Sequence, residues 1–535
     1  MSNSAVALAS APMMTTVATM VTRRAFLAAA AGLAATGPAT RAMATPGGDM
    51  DVLSAGDPGY ARLASRGYNP RFRATPREIL VPHHPKAVIL AVQRAVDAGA
   101  RIGLRSGGHC FEDFVDGPQT RVLIDLEKLG GLGFDREHNS FSLGASVDLG
   151  TAYRRLARGW GVTIPGGTCL GVGAAGHISG GGFGGLSRQF GAVADHVYGV
   201  EVVVVDGSGQ ARPVLATRDG PHRDLWWAHT GGGGGNFGVI TRFLLRSAGS
   251  DGHDPRTALP RPPARIRVGK VHLAVPTISA FTAFVGNFLR YFSAHSTPGS
   301  PGCSMYGTLH AGSLHTGGVR VETYYNAEAR HIYDEFAADL SRGVWPPPVP
   351  ARPVEGPFLD ATLQYCTPRG AATSAIKTKS AFLRAPFSDR QLRTLHRFLS
   401  DPVIVDGGSG IELFTVGGQI NAVSPAQTAL AERSSIAKLQ MVAAWPRSRA
   451  GTDELAWVRN FYRTLYADTG GVPKPDDANG GCYVNYPDSD MAAPEWNPDV
   501  PWHVLYHQTN YARLQEAKAR WDPLGCFTHE LGVTT

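Results

Sequence analysis

Apolar residues recur along the first half of the chain with two different periods, and the change from one to the other marks out elements. In "HPKAVILAVQRAVDAGA" the positions Val88, Ile89, Val92 and Val96 follow helical spacing, with Pro85 opening the segment and Gly99 closing it. The short apolar run "RIGLR" then predicts a strand, "RVLIDLE" and "SFSLGASVDLG" predict two more, and "TAYRRLARGW" predicts another helix. "DHVYGVEVVVVDGSGQARPVL" reads as a buried strand, a tight turn and a return strand.

The pattern changes after about residue 250. "DPRTALPRPPARI" is polar and Pro-rich and predicts a linker. Beyond it, helix-like "AFTAFVGNFLRYFSAH" is followed by strand-like "VRVETYYN", "GIELFTVGGQINAV" and "AKLQMVAAW". That order predicts an α+β domain, an antiparallel sheet covered by helices on one face. The run "VWPPPVPARPVEGP" is expected to be an extended loop. A chain of 535 residues, 43% of them hydrophobic, is too long for one simple core, so two domains are expected.

Glycine alters this picture. The chain has 65, gathered in blocks rather than in a repeat: "RSGGHC", "PGGTCLGVGAAGHISGGGFGGLSRQFG" and "HTGGGGGNFGVITRF". Backbone stripped of side chains can approach a ligand closely and offer N–H groups to phosphates. Three such loops beside β segments predict a dinucleotide site, although none has the strand–GxGxxG–helix order of a Rossmann fingerprint and GxxxxGK[ST] is absent. Charge adds little: Lys+Arg 51 against Asp+Glu 44 gives +7, without a basic block, so nucleic acid is not expected as a partner. Six scattered cysteines form no CxxC pair, and no metal is expected.

Part of the positive charge is read as temporary. "TRRAFLAAAAGLAATGPATRAMA" places Arg23–Arg24 before an Ala-rich run, and Ala42-Met43-Ala44 offers small-residue cleavage geometry. The segment resembles a twin-arginine export signal, so the twin-arginine machinery is an expected partner and the periplasm or the exterior the expected destination. Cleavage after Ala44 lowers the charge from +7 to +4. The apolar run is too short to span a bilayer well, and no other membrane span is expected.

Taken together, "RSGGHC", "GGTCLGVGAAGHISGGGFG", "GGGGGNFGVIT" and "YVNYPDSD" resemble the berberine-bridge-enzyme-like branch of the vanillyl-alcohol-oxidase flavoproteins. "RSGGHCFEDFVD" and "WWAHTGGGGGNFGV" are most similar to bacterial hexose and glycopeptide-sugar oxidases. The resemblance implies a two-domain, PCMH-type FAD-binding fold. Its expected parts are an export signal, 1–44; an FAD domain, 45–255; a substrate domain, 256–475; and a segment, 476–535, that returns to the FAD domain. It also implies FAD bonded covalently to His109 and Cys169, with Cys110 not the attached cysteine. Around the cofactor it places Arg105, Ser106, Gly107, Gly108, Cys110, Gly173, Gly176, His177, Gly180, Gly181, Gly235, Asn236, Gly238, Val239, Tyr483 and Asn485.

For the reaction, the resemblance implies that Tyr486 is the base for a substrate hydroxyl and that Val172 is a gate on the face of the flavin that meets O₂. A free phenol, with an ordinary pKa of about 10, is a poor base at neutral pH, so the site is expected to favour phenolate. Relatives often carry a second tyrosine where this chain has Phe183; Gln419 and Asn421 are candidate polar contacts for substrate. The expected activity is oxidation of an alcohol or hemiacetal carbon of a sugar or sugar-bearing natural product, with O₂ reduced to H₂O₂. The alternatives are a tailoring oxidase or cyclase acting on a nonsugar metabolite, and a flavin- or carbohydrate-binding protein that has lost catalysis.

Overall fold

The helix that follows the first long strand shows how local chemistry sets the architecture. His84 caps it by accepting the Ala87 N–H on its ring, Pro85 occupies the first turn, and the helix runs Pro85–Asp97 with Ala87, Val88, Ala91, Val92 and Ala95 buried. It connects strands of a four-stranded sheet, ordered Met50–Leu53, Glu78–Pro82, Val122–Asp125, Ile102–Arg105; the last three are mutually parallel and the first is antiparallel to its neighbour. A five-stranded antiparallel sheet follows, ordered Leu132–Asp135, Ser140–Gly144, Val239–Leu245, Val197–Val205, Ala211–Thr217. The "TAYRRLARGW" helix runs Leu149–Trp160, capped by Asp148 and closed by Gly161 at φ +68°.

These elements come from a computed structural model that describes residues 48–274, 276–366, 373–404 and 408–535. The expected export signal lies outside the described residues.

A seven-stranded antiparallel sheet dominates the second half: Val349–Pro357, Arg265–Leu273, Val319–Asn326, Met305–Ala311, Gly410–Thr415, Ala437–Pro446, Ser374–Leu383. Side chains alternate across its central strands. Met305, Leu309, Ile411, Leu413, Leu439 and Met441 join a core with the helices Ile278–Ala294, Arg330–Ser341, Asp389–Leu399 and Thr452–Leu465. Their neighbours Tyr306, His310, Glu412, Phe414, Lys438 and Gln440 face the opposite way, into a cavity. The fold is thus α+β, with helices on one face of the sheet, and the other face is left to line a site.

Two corrections concern proline. "VWPPPVPARPVEGP" is a loop only over 344–348: Val349–Pro357 is the edge strand of the large sheet, bulged opposite Val268 and Lys270 and held by Arg265 and Arg267 on Glu355. An edge strand needs only one side of its backbone for pairing, so it tolerates missing N–H donors. The expected linker likewise contains the short helix Pro255–Ala258, capped by Asp254, and enters the sheet at Arg265.

The first half has its own core, to which the helix Tyr511–Trp521 adds Leu514, Ala517 and Trp521, whereas Cys482, Met491 and Leu505 belong to the core beneath the large sheet. Arg188 pins the two halves together. It is fully buried, with no carboxylate partner among the described residues, and donates to the carbonyls of Met305 (2.9 Å), His295 (2.6 Å) and Val416; burial pushes its guanidinium down to about 10.

Candidate active site

A cavity of about 660 Å³ runs from the glycine loops to the open face of the large sheet. It collects His109, Cys169, Val172, Tyr483, Asn485 and Tyr486, together with Arg105, Ser106, Gly107, Gly108, Cys110, Gly173, Gly176, His177, Phe183, Gly235, Asn236, Gly238 and Val239. Gly180, Gly181, Gln419 and Asn421 do not line it. A Cβ on Gly180 would overlap the Asn485 amide, and one on Gly181 would press on Leu430 at 3.2 Å, so these glycines make room for protein. Asn421 donates instead to the Ser435 carbonyl at 3.1 Å.

The glycine loops are built as much for each other as for a ligand. A Cβ on Gly107 would overlap the backbone of Gly173, and one on Gly173 would overlap Gly107 and Ser106, so the loops bearing His109 and Cys169 cross in contact. Gly176 differs, since its Cβ position is open with no atom within 4 Å. Within the second block, Ala174–Ser179 is a short helix. Arg105 is committed to Asp116, Asp125 and the Leu63 carbonyl. Asn236 donates to Gly232 and accepts the Val533 N–H at 3.0 Å, tying the third block to the C-terminus.

The two candidate nucleophiles sit differently from their neighbours. Tyr68 stacks on the His109 ring at 4.6 Å between centroids, 21° from parallel, and its N–H donates to the Gly108 carbonyl at 2.7 Å. Burial pushes the Cys169 thiol up, while the Gly171 and Val172 amides draw it back. Cys110 is pushed up to about 12, chiefly by burial, and so stays a thiol. His177 is pushed down to about 3 by burial, with Lys438 adding to the effect; this neutral ring accepts the Gly167 N–H at 3.1 Å.

Tyr486 stands close by, linked through the rings of Phe111 and Tyr68 to that of His109. Its ring lies 5.5 Å from Phe111 and 5.1 Å from Tyr483, and Lys438 Nζ sits 4.2 Å from its centroid. Burial, then Tyr483, Glu412, Cys169 and Tyr68, hold the phenol well above its ordinary value. Burial thus opposes ionisation of this phenol, and the Lys438 side chain lies over its ring. Lys438 also faces the rings of Tyr483 at 4.4 Å and Phe414 at 4.9 Å; among the described residues no carboxylate pairs with it, and burial lowers it to about 7 against the pull of Glu412. Glu412 accepts from His310 at 2.9 Å, whose other ring nitrogen meets Thr308 Oγ1 at 3.0 Å.

Lys438, Glu412, His310, Gln440 and Tyr68 are cavity residues that sequence reasoning missed. The alternation within "AKLQMVAAW" carried a signal for two of them, because it puts Lys438 and Gln440 on one face; which face borders the cavity depends on strand order.

Comparison with known proteins defines the class. Residues 76–210 match the FAD binding domain family and residues 482–534 the berberine and berberine-like family. The chain is 41% identical to the aclacinomycin-N/aclacinomycin-A oxidase of Streptomyces galilaeus, over 96% of this chain and 98% of that protein. It is 30% identical to the hexose oxidase of Chondrus crispus, over 91% and 98%. A glycopeptide hexose oxidase solved with teicoplanin superposes with a TM-score of 0.86 at 40% identity, covering 91% of this chain and 99% of that one. The chain belongs to the berberine-bridge-enzyme-like family. It is an FAD-linked oxidoreductase with the PCMH-type fold.

The cavity fits such a cofactor on its own terms. Gly176 leaves open space where a side chain would stand, and His507, fully buried in the cavity wall, has Nδ1 without a partner among the described residues. A bulky ligand with polar edges answers both.

Proposed function

We propose that His109 and Cys169 hold FAD by two covalent bonds and that the cleft under the large sheet oxidises an alcohol or hemiacetal carbon of a sugar or sugar-bearing natural product, with O₂ as acceptor and H₂O₂ as product. The observation that carries this reading is one cavity that gathers both nucleophiles with Tyr486 and Lys438, Phe111 and Tyr68 linking the Tyr486 ring to that of His109. Bound FAD supplies the hydride acceptor.

The protein's own groups manage the proton. Tyr486 receives it from the substrate hydroxyl at its phenol oxygen, avoiding a high-energy protonated carbonyl. A phenolate in so buried a site needs a nearby cation, and Lys438 over the ring provides one in its protonated form, which burial confines to about pH 7 and below. Phe183, 5.3 Å from Tyr483 and 6.1 Å from Phe382, keeps this wall apolar where many relatives have a hydroxyl. Glu412 and Gln440 lie along the same sheet face and offer the hydrogen bonds a polyhydroxylated substrate needs, with His310 holding the Glu412 carboxylate.

The test is peroxide release from air-saturated enzyme with mono- and oligosaccharides, glycosylated aromatic compounds and the matching aglycones. Turnover of sugars or glycosides, with the aglycones inert, is expected. Turnover of aglycones alone supports the tailoring alternative, and absence of peroxide across the series with the flavin in place supports lost catalysis.

A further inference from the structure

The segment that carries Tyr486 wraps around a free edge of the seven-stranded sheet. Phe382 N–H donates to the Gly481 carbonyl at 2.8 Å, Gly480 N–H to the Phe382 carbonyl at 2.9 Å, and Tyr483 N–H to Ser380 Oγ at 3.1 Å. The chain then places Tyr486 on the cavity side of strand Ser374–Leu383. Two and four residues later it drives Asp488 and Asp490 against Lys377 and Lys379, whose strand neighbours Ala375 and Ala381 belong to the core beneath the sheet.

The result is a buried ionic cluster of three cations and three anions. Lys377 Nζ lies 2.5 Å from Glu112 Oε1 and 2.7 Å from Asp488 Oδ1; Lys379 Nζ lies 2.7 Å from Asp488 Oδ2 and 2.8 Å from Asp490 Oδ2; Arg459 closes the rim on Asp490 at 2.8 Å. The side chains of Lys377 and Glu112 are 1% and 3% exposed. Against the penalty of burial, Asp488, Glu112 and Asp490 keep the Lys377 ammonium above its ordinary value. Likewise Lys379, Arg459 and Lys377 hold the Asp490 carboxyl far below its own.

The cluster's reach along the chain matters more than its strength. Glu112 is three residues from His109, and Asp488 is two from Tyr486. Ser489 Oγ donates to Glu112 Oε2 at 3.3 Å, and Asp488 N–H donates to Tyr506 Oη at 3.0 Å, which fixes the turn. Asn69 adds a neutral clamp on the same two elements, donating to the carbonyls of Phe111 at 2.7 Å and Ile376 at 3.0 Å. Buried ion clusters are weak sources of net stability, since apolar replacements of similar shape often do as well, but they specify geometry closely.

We propose that this cluster sets Tyr486 against the His109 loop, with Glu112, Lys377 and Asp488 as positioning residues for proton removal. The inference rests on Tyr486 being the base. A displacement of about 1 Å at a reacting group can cost about a hundredfold in rate, so small shifts of this turn matter.

The test is a double-mutant cycle in the flavin-loaded enzyme. Glu112→Gln with Lys377→Met removes one charge of each sign and leaves no lone ion buried. The expected protein keeps its acid-stable yellow colour and reduces its flavin about 10- to 100-fold more slowly, with half-saturation by substrate within about twofold. In a Tyr486→Phe background the same pair of changes should alter reduction by less than about twofold, because the residue it acts through is gone. An unchanged rate in the paired variant, or a full additional loss in the Tyr486→Phe background, overturns the inference. Normal reduction by Tyr486→Phe alone defeats the assignment of the base instead. Should the paired variant not fold, Arg459→Met, at a quarter-exposed rim position, serves in the same cycle. Its expected loss is about three- to tenfold and vanishes without Tyr486; no loss, or an additive one, counts against the proposal.

Discussion

Tyr486→Phe should slow anaerobic reduction of the flavin by about 10²- to 10⁴-fold, the usual worth of a positioned base, while the protein stays folded and yellow. The change removes one oxygen and keeps the ring that packs against Phe111 and Tyr483. Burial, Tyr483, Glu412, Cys169 and Tyr68 hold the phenol above its ordinary value while burial lowers Lys438 to about 7, so the pairing of phenolate with ammonium grows only up to about pH 7; reduction by the unaltered enzyme should therefore quicken up to that pH and level off above it, and Tyr486→Phe should flatten the rise. Lys438→Met is the companion. It removes the cation 4.2 Å from the ring, and the expected loss is about thirtyfold, from about 2 kcal/mol for a desolvated cation over an aromatic face. Rapid-mixing absorbance of the two variants across pH checks both. Near-normal reduction by Tyr486→Phe would remove this tyrosine from the mechanism.

The second large effect concerns the cofactor. His109→Ala and Cys169→Ala should each keep flavin through acid precipitation, because one bond remains, whereas the double variant should release all of it. Neither change strikes the crossing of the two loops, which depends on Gly107 and Gly173. A contrast follows at Cys110: burial keeps its thiol protonated, so Cys110→Ala should leave attachment intact. The visible absorbance of the acid pellet reads all four proteins, and complete release from either single variant contradicts two tethers.

The parts of the site that were legible in sequence lie in contiguous motifs. "RSGGHC", the cysteine loop and "NYPDSD" carry His109, Cys169 and Tyr486, and the fold brings all three to one cavity. What escaped depends on strand order. Lys438 stands out only once Ala437–Pro446 is seen between Gly410–Thr415 and Ser374–Leu383, with its odd-numbered residues in the core and its even-numbered ones in the cleft. The Lys377–Glu112 pair spans 265 residues, a separation no local pattern carries. Glycine misled in a different way: Gly107, Gly173 and Gly180 were read as ligand clearance, yet they let one piece of chain touch another. Proline misled at Val349–Pro357, where the edge position supplies what the residue lacks.

Peptide mapping of the acid-precipitated protein tests the central claim most directly. Trypsin cuts after Arg105 and Arg121, and after Arg158 and Arg188, so His109 lies in peptide 106–121 and Cys169 in peptide 159–188. A flavin bonded to both must join these two peptides into a single yellow species whose mass is that of both plus one flavin, less the two hydrogens lost in forming each bond. The account predicts that cross-linked species as the main flavin-bearing product; flavin free in the supernatant, or carried by one peptide alone, would contradict it.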